Sequence, residues 1–301
     1  MTDFSNTSSS PLAVDIIGDV HGHADRLHEL LHELGYRPAD AAWHHPAGRK
    51  AVFVGDLING GPDSREVLQT VADMQEAGSA ACVMGNHEYN ALLHYLPGST
   101  GRPLRLLTDK QWKSHEPTFR QLAGPHPEEW AGWLRWMLNL PLWLDAGPFR
   151  VVHACWDHEA MAFLIQSRLT PTLLEASVPE GPTRQAVENL LKGPVLTELP
   201  DGAVLPSPIR LRWWDPPCGE AFLEEISVDK LPRVLRGIRI AGNAFPDRCP
   251  AETGPLFIGH YPKLGGDSLQ VSRSVICVDA GVSHGGKLAA WRLDEGVAVM
   301  V

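Results

Sequence analysis

Three short apolar runs of this chain each lead directly into a glycine-bearing group of polar residues. The two stretches between the runs carry Leu, Val and Met at helical spacing, so the order is strand, helix, strand, helix, strand. Strands in this order are parallel and joined by crossover helices, which predicts an α/β fold. Because parallel strands end at one edge of a sheet, we expect the three polar groups to meet there. The runs are 13–18, 51–55 and 80–84, and the groups are Gly18-Asp19-Val20-His21, Gly55-Asp56-Leu57 and Gly85-Asn86-His87-Glu88.

Two later histidines occur in the same context, each directly after a short apolar run. His153 follows residues 149–152, and His260 follows residues 256–259. The six predicted metal ligands at these strand ends are Asp19, His21, Asp56, Asn86, His153 and His260. Oxygen and nitrogen donors without a thiolate suit Mn²⁺, Fe or Zn²⁺. Six ligands serve two ions better than one, and Asp56 on the middle strand is expected to bridge them.

His87 directly follows the predicted ligand Asn86, so its side chain should leave the strand end in a different direction. Beside the ions it can act as a general acid that protonates a leaving alkoxide. Two ions about 3.5–4 Å apart clamp both oxygens of an in-line phosphoryl displacement and make hydroxide from water. The pattern therefore predicts a hydrolase that acts on phosphate groups.

The bulk composition limits what else the chain can bind. Its 301 residues are 44% hydrophobic and 21% charged, as in ordinary globular proteins. The net charge of −10 argues against nucleic acid and acidic membranes as partners, because both attract basic surfaces. It does not exclude a phosphate substrate, since bound divalent ions reverse the local field. The expected partner is a phosphorylated small molecule, a nucleotide or a phosphoprotein.

Cysteine spacing and the chain's ends bear on its location and organisation. Five cysteines without a CxxC pair favour reduced thiols over a disulfide framework. Residues 1–12 are expected to be a disordered polar tail, and no apolar run approaches the length of a membrane span. A cytoplasmic location is the default expectation. Residues 13–301 are expected to form one domain, with a helical cap at about 90–140 and an insert at about 157–254.

The motifs together resemble those of the calcineurin-like metallophosphoesterase superfamily, whose pattern is GDxHG, GDxxDRG, GNHE and two later histidines. The run Gly55-Asp56-Leu57-Ile58-Asn59-Gly60-Gly61-Pro62-Asp63-Ser64 resembles the GDLVDRGPDS form of the phosphoprotein-phosphatase branch, which includes bacterial symmetrical dinucleoside-tetraphosphate hydrolases. Leu211-Arg212-Trp213-Trp214-Asp215-Pro216 resembles its LLWSDP element. All five metal blocks in order are a specific signal. The resemblance implies a two-sheet β-sandwich flanked by helices.

The resemblance also implies how the residues divide the work. It places the first metal on Asp19, His21 and Asp56, the second on Asp56, Asn86, His153 and His260, and the general acid at His87. The implied cofactors are two divalent metal ions, with Mn²⁺ preferred and Fe or Zn²⁺ as alternatives. The implied reaction is in-line attack of a metal-bound hydroxide on a phosphate ester.

One departure from the family pattern bears directly on catalysis. The family's Asp-Arg pair is here Asn59-Gly60. Asn59 can still hydrogen-bond His87, but an amide cannot stabilise a charged imidazole as a carboxylate does. Gly60 cannot grip a substrate phosphate, so another cation is expected to replace the arginine. The candidates are Arg65, Arg102, Arg210 and Arg212, of which Arg212 beside the WD-P element is favoured. The histidines that are neither predicted ligands nor the general acid, His115 among them, are expected at the surface or in packing, with His23 as a possible exception.

Three functions remain open from the sequence. The leading one is a phosphatase for phosphate monoesters. The second is a symmetrical dinucleoside-tetraphosphate or nucleotide pyrophosphohydrolase, for which a larger polyphosphate would be held by cap arginines. The third is a metal-binding regulatory module with little catalysis, suggested by the loss of the Asp-Arg pair. The physiological substrate, the native metal, the oligomeric state and the role of the insert are not specified by the sequence.

Overall fold

The computed structural model describes residues 13–217, 219–240, 254–262, 264 and 266–301. The expected tail at 1–12 lies outside these residues. The described helices are α1 (Ala24–Leu34), α2 (Ser64–Glu76), α3 (Asn86–Tyr95), α4 (Asp109–Thr118), α5 (Pro127–Leu138), α6 (His158–Leu164), α7 (Pro171–Ala176), α8 (Pro182–Lys192) and α9 (Leu223–Ile226). The described strands are β1 (Val14–Ile17), β2 (Arg37–Ala39), β3 (Ala42–His44), β4 (Lys50–Phe53), β5 (Ala80–Cys82), β6 (Trp143–Asp145), β7 (Arg150–Val152), β8 (Val195–Glu198), β9 (Val204–Arg210), β10 (Ala221–Phe222), β11 (Arg239–Ile240), β12 (Leu256–Ile258), β13 (Val275–Cys277), β14 (Ala289–Arg292) and β15 (Val297–Met300). A π-helix covers Phe119–Ala123, and 3₁₀ turns cover Arg233–Leu235, Gly266–Ser268 and Val282–His284.

The three strands expected to be parallel lie side by side in the first sheet. Its order is β15-β14-β1-β4-β5, with β4 parallel to both β1 and β5. Ile17 pairs with Phe53, and Phe53 pairs with Cys82, so the three strands end at the same level. The residues that follow these ends therefore emerge at one edge, as the strand-helix-strand order predicts.

The second sheet brings the two later histidines to the same part of the molecule. Its order is β13-β12-β7-β6, with β12 parallel to β7. His153 follows β7 directly, and His260 comes two residues after β12. The Gly259 N–H donates to the His153 carbonyl oxygen at 2.8 Å and so connects the two loops that carry the histidines.

The core between the two sheets consists of side chains from both. Alternation along β1 and β4 decides which side chains face it: Ile16 and Val52 point between the sheets, whereas Ile17 and Phe53 point to the helices. The apolar residues of the inter-sheet core include Val14, Ile16, Val52, Val54, Phe149, Val151, Phe257 and Ile276. The predicted two-sheet sandwich flanked by helices is confirmed.

Helices α1 and α2 cover the outer face of the first sheet because each has one apolar stripe. In α1 the buried leucines recur at 27, 30, 31 and 34, and in α2 the buried apolar residues recur at 67, 68, 71 and 74. Asp63 begins α2 by accepting a hydrogen bond from the Glu66 N–H at 3.0 Å. Each fully buried leucine stabilises the fold by about 1.5–3 kcal/mol.

The region expected to form a cap contains α3, α4, the π-helix and α5. Trp130 of α5 is buried, as expected for a tryptophan that packs a helix onto the core. The region expected to be an insert has a small apolar cluster of its own, formed by Leu205, Ile209, Leu211, Leu223, Ile226, Leu231 and Ile240. Helix α8 of this region packs against α3, so the insert reaches back toward the metal-ligand edge. Within the described residues, no helix combines the length and apolar character that crossing a membrane requires.

Candidate metal centre

The backbone at the strand ends is bent in a way that turns the predicted ligands inward. His21, Asp56 and His260 have φ angles of 49°, 52° and 65°. Non-glycine residues in this left-handed region each cost about 1–3 kcal/mol and cluster at functional sites. Close approach also demands small neighbours, since a Cβ on Gly259 would lie 2.0 Å from Asp19 Oδ1 and one on Gly85 would lie 2.2 Å from Asp56 Oδ1. The concentration of strained residues at this one edge is consistent with a functional site.

Asp56 lies at the centre of the cluster, with its side chain 3% exposed. Its Oδ2 atom is 3.8 Å from His21 Nε2, 3.8 Å from His87 Nε2 and 3.3 Å from His153 Nε2. Two groups of possible ligand atoms share this carboxylate. They are His21, Asp56 and His87 in one group and Asp56, His153 and His260 in the other, with the atoms of each group within 4.8 Å of one another.

The first group is completed by Asp19. His21 Nδ1 lies 3.3 Å from the Ile58 carbonyl oxygen, to which it donates, and this leaves Nε2 to face the site at 3.9 Å from Asp19 Oδ2. The other oxygen of this carboxylate, Asp19 Oδ1, is buried and has no hydrogen-bond partner. A buried carboxylate oxygen without a donor is costly unless a cation is bound to it. Asp19 thus fits a metal ligand by its own unmet bonding.

The second group is completed by Asn86. His153 Nδ1 donates to the Val54 carbonyl oxygen at 2.7 Å, which directs Nε2 to Asp56 and to Asn86 Oδ1 at 3.2 Å. His260 Nδ1 lies 2.7 Å from the same Asn86 oxygen. A backbone acceptor on one ring nitrogen orients the other toward a metal, as is usual for ligating histidines. The structure therefore brings all six predicted ligands together.

The charge states of the His21 and His260 rings suit a divalent cation. Burial lowers the pKa of His21 to about 4 and that of His260 well below its usual range, so both rings are neutral, as metal ligation requires. Burial and the neighbouring carboxylate of Asp279 raise the pKa of Asp19 well above its usual range. Burial also raises the pKa of Asp56, but His153 and His87 outweigh it and hold that pKa well below normal. A cation between them would stabilise both carboxylates in their charged form.

Glu88 supports the site from beneath, a role that the sequence analysis does not assign to it. Its fully buried carboxylate accepts hydrogen bonds from the N–H groups of Asp56, Leu57 and Gly85, each at 2.9 Å. One side chain thus holds the turns after β4 and β5 in register. Burial raises its pKa to about 7. The one sequence feature that could have indicated this role is the position of Glu88 in the first turn of α3, where a carboxylate meets free N–H groups.

His87 is held by a chain of hydrogen bonds that reaches into α4. Asn59 Nδ2 donates to His87 Nδ1 at 2.8 Å, and Asn59 Oδ1 accepts from His115 Nδ1 at 2.8 Å. His115 Nε2 in turn lies 2.8 Å from the Tyr95 hydroxyl, which donates to it. From the sequence His115 is expected at the surface or in packing, whereas in the structure it is 1% exposed and contacts Asn59. No local pattern indicates this contact, because residues 59 and 115 lie on separate elements.

The turn at Asn59-Gly60 has a backbone that favours these two residue types. Asn59 has φ 77° and Gly60 has φ 90°, both in the left-handed region. The Asn59 N–H donates to Ser64 Oγ at 3.2 Å and to Thr118 Oγ1 at 3.1 Å. Asparagine and glycine adopt this conformation with least strain. An arginine at position 60, as in the family pattern, would therefore have a strained backbone in this turn.

The arginines proposed as replacements differ in their distance from the centre. Arg65 forms a two-pronged ion pair with Glu129 at 2.7 Å on the surface. The half-buried Arg212 lies 3.5 Å from the Glu225 carbonyl oxygen. Arg210, by contrast, lies 3.4 Å from the carbonyl oxygen of the predicted ligand His260. Arg210 is also held by an ion pair with Asp229, so the assignment of Arg212 and Arg65 to substrate binding stays a prediction.

The first half of the chain is similar to a known enzyme family. Residues 12–157 match the family model of the calcineurin-like phosphoesterases. This part of the chain is similar to that family. The family works with divalent metal ions, so the sequence-based assignment to the metal-dependent hydrolases is confirmed at that level.

Two relatives show how far the likeness extends. The chain is 28% identical over 294 residues to the symmetrical bis(5′-nucleosyl)-tetraphosphatase of Aromatoleum aromaticum. This alignment covers 94% of this chain and 94% of the relative. It is 48% identical over 84 residues to the asymmetrical bis(5′-nucleosyl)-tetraphosphatase PrpE of Halalkalibacterium halodurans. That alignment covers 28% of this chain and 34% of the relative.

One solved structure has a fold similar to nearly the whole of this chain. The crystal structure of a cold-active protein-tyrosine phosphatase of a psychrophile, Shewanella sp., covers 99% of this chain and 83% of its own, with a TM-score of 0.51 and 18% identity. At this identity the likeness concerns the fold alone.

Proposed function

We propose that this phosphoesterase is a dinuclear metal-dependent phosphohydrolase that cleaves dinucleoside tetraphosphates. The cluster around Asp56 carries the proposal, because it gathers buried oxygen and nitrogen donors into two groups that share one carboxylate. A relative that spans nearly the whole chain is named for symmetrical cleavage of this substrate class. That name supports the second of the three functions left open by the sequence, ahead of the phosphomonoesterase.

The six ligands would divide around Asp56 as the family resemblance implies. Asp19, His21 and Asp56 would hold one ion, and Asp56, Asn86, His153 and His260 would hold the other. When bound, the two ions would supply hydroxide from water and neutralise the charge of the phosphoryl group. Among divalent ions we propose Mn²⁺, with Fe or Zn²⁺ as alternatives. Every other part of the reaction falls to side chains of this chain.

His87 is placed to assist the leaving group. Because Asn59 Nδ2 donates to its Nδ1 atom, the proton of the neutral ring lies on Nε2, which faces Asp56. A neutral imidazole donates a hydrogen bond well but gives up its proton reluctantly. A phosphate leaving group, whose second pKa is about 6, needs little more than such a hydrogen bond. An alkoxide needs a full proton, so the Asn59 arrangement favours a phosphoanhydride over an alkyl phosphate.

Three substrates test this choice with Mn²⁺-loaded protein. Diadenosine tetraphosphate and p-nitrophenyl phosphate have weakly basic leaving groups, whereas glycerol 2-phosphate leaves as an alkoxide. We expect kcat/KM to fall in that order, with the last at least about 100-fold below the first, as for loss of general-acid assistance. Glycerol phosphate turnover equal to that of the tetraphosphate would instead support the monoester phosphatase. Negligible turnover of all three, with stoichiometric metal, would support the regulatory module.

Asp56→Asn tests the metal centre itself. We expect it to abolish turnover and to reduce bound metal well below two ions per chain, because an amide is a poor bridging ligand. Asp63→Asn is the matched control, since asparagine caps a helix as well as aspartate does and Asp63 begins α2. Full activity of Asp56→Asn would refute the proposal.

Separation of the products of diadenosine tetraphosphate shows whether cleavage is symmetrical, giving two molecules of ADP, or asymmetrical, giving ATP and AMP.

A further inference from the structure

Three cationic side chains surround a single carboxylate at α8. Lys192 Nζ lies 2.8 Å and Arg105 Nη1 lies 3.3 Å from Glu188 Oε1, and Arg184 Nε lies 3.5 Å from Glu188 Oε2. We call these three cations and Glu188 the α8 cation cluster. One carboxylate balances one of the three positive charges, so the cluster carries a net charge of +2. In a chain of net charge −10 such a local excess requires a reason.

The cluster lies beside the metal centre, and hydrogen bonds fix its position from two sides. The Ala154 N–H, next to the ligand His153, donates to the Leu190 carbonyl oxygen of α8 at 2.9 Å. A Cβ on Gly193 would lie 2.0 Å from Tyr261 Oη, so the end of α8 packs directly against the residue that follows His260. Helix α8 therefore ends between the two loops that carry the ligand histidines.

Helix α3 fixes the cluster from the other side. Arg105 Nη2 donates to Asn90 Oδ1 at 2.9 Å, and Asn90 lies one helical turn after the ligand Asn86. Arg105 thus lies beside the helix that begins with the predicted ligand Asn86.

The cations are held in place before any ligand binds. The Arg105 guanidinium carbon and Lys192 Nζ lie 5.7 Å and 6.0 Å from the centre of the Tyr89 ring, within cation–π range. Their side chains remain 23% and 28% exposed, and that of Arg184 remains 32% exposed. A structural ion pair with Glu188 would need one cation. The other two leave an ordered positive surface that solvent, and therefore a ligand, can reach.

We infer that the α8 cation cluster binds a phosphate group of the substrate other than the one under attack. The ligand class is a polyphosphate chain of three or more phosphates, and the inference rests on the proposed function. Guanidinium and ammonium groups bind phosphate through charge-assisted hydrogen bonds, which are roughly twice as strong as neutral ones. The cluster would supply the phosphate grip that Gly60 cannot, from residues that lie outside the family's Asp-Arg position.

Two substitutions test the inference by comparing two substrates. Lys192→Met and Arg184→Gln each remove one charge, and we expect either to lower kcat/KM for diadenosine tetraphosphate by about 10- to 100-fold, mainly through KM, as for loss of a charged hydrogen bond. Turnover of p-nitrophenyl phosphate, which has no second phosphate, should change less than about 3-fold. Arg239→Gln is the matched control, because it breaks an exposed pair with Glu220 on the same insert.

A second measurement separates the failure of this inference from the failure of the proposed function. Tripolyphosphate, with Mn²⁺ in excess, should inhibit p-nitrophenyl phosphate hydrolysis competitively, and Lys192→Met and Arg184→Gln should each raise its inhibition constant at least about 10-fold. If the protein rejects the tetraphosphate but shows this inhibition pattern, the proposed function fails and the cluster stands. An unchanged inhibition constant in both folded variants, or equal losses for both substrates, would overturn the cluster. Arg184→Gln, at a half-exposed position, keeps the test available if Lys192→Met fails to fold.

Discussion

Asn59 shows how much one side-chain amide can specify. Its nitrogen faces His87 and its oxygen faces His115, so the two histidines are held in complementary hydrogen-bonding states. A carboxylate at this position would accept from both rings, whereas an amide donates to one and accepts from the other. The residue that departs from the family pattern is therefore integrated into its own network, and is more than a lost carboxylate.

His115 is expected to act as a positioning residue, which two similar amides can test. In His115→Asn the amide nitrogen takes the place of Nδ1 and can still donate to Asn59, whereas in His115→Gln it takes the place of Nε2 near Tyr95. We expect His115→Gln to lower kcat about 10-fold with KM nearly unchanged, as for a lost buried hydrogen bond. His115→Asn should retain most of the activity. Equal kcat values for the two variants would show that His115 only fills space.

Gly60 supports a prediction about stability. At φ 90° a side chain beyond glycine costs about 1–2 kcal/mol, and asparagine tolerates the conformation best. We expect Gly60→Arg to lower the free energy of unfolding by about that amount in urea denaturation. Gly60→Asn should lose less. A Gly60→Arg variant as stable as the parent chain would show that the turn does not disfavour the family's arginine.

At the scale of elements, β1 is joined to its neighbours by a buried ion network as well as by backbone pairing. Arg49 donates to both oxygens of Asp15, at 3.0 and 3.1 Å, and to both oxygens of Asp294, at 2.8 and 2.6 Å. Asp15 is fully buried, and Arg292 Nε approaches it at 3.5 Å. The network links β1, the start of β4 and the end of β14 on the side of the sheet away from the metal-ligand edge.

Arg49→Met should therefore destabilise the fold strongly. Removing one partner of a buried pair leaves an uncompensated charge and costs about 3–5 kcal/mol. Arg26→Met is the matched control, because it breaks an exposed pair with Glu29 and should cost less than about 1 kcal/mol. Denaturant unfolding of both variants measures the difference, and equal losses would contradict this account.

The same network predicts a pH effect at Asp294. Its hydrogen bonds with Arg49 lower the pKa of Asp294 below its usual value. A carboxylate with a lowered folded-state pKa stabilises the fold above its unfolded pKa, and this contribution is lost as the pH falls through the folded pKa. In Arg49→Met, NMR titration should show a higher pKa for Asp294. An unchanged pKa would mean that Arg49 does not stabilise this carboxylate.

For the whole molecule, the sequence predicts the fold where local patterns repeat and misses what depends on long-range placement. The parallel order of β1, β4 and β5 is predictable because two amphipathic helices separate three apolar runs. The strand-end ligands are predictable because each follows its strand within four residues. The roles of Glu88 and His115 are not, since their partners come from other elements. Arg105 and Lys192 likewise come together only when the segment between α3 and α4 packs against α8.

Anomalous scattering from crystals of Mn²⁺-loaded protein tests the central claim most directly. The account predicts two manganese peaks about 3.5–4 Å apart, one on each side of the Asp56 carboxylate. Asp19 and His21 should contact one peak, and Asn86, His153 and His260 the other. Manganese bound away from Asp56, or no peak at this edge in crystals saturated with Mn²⁺, would contradict it.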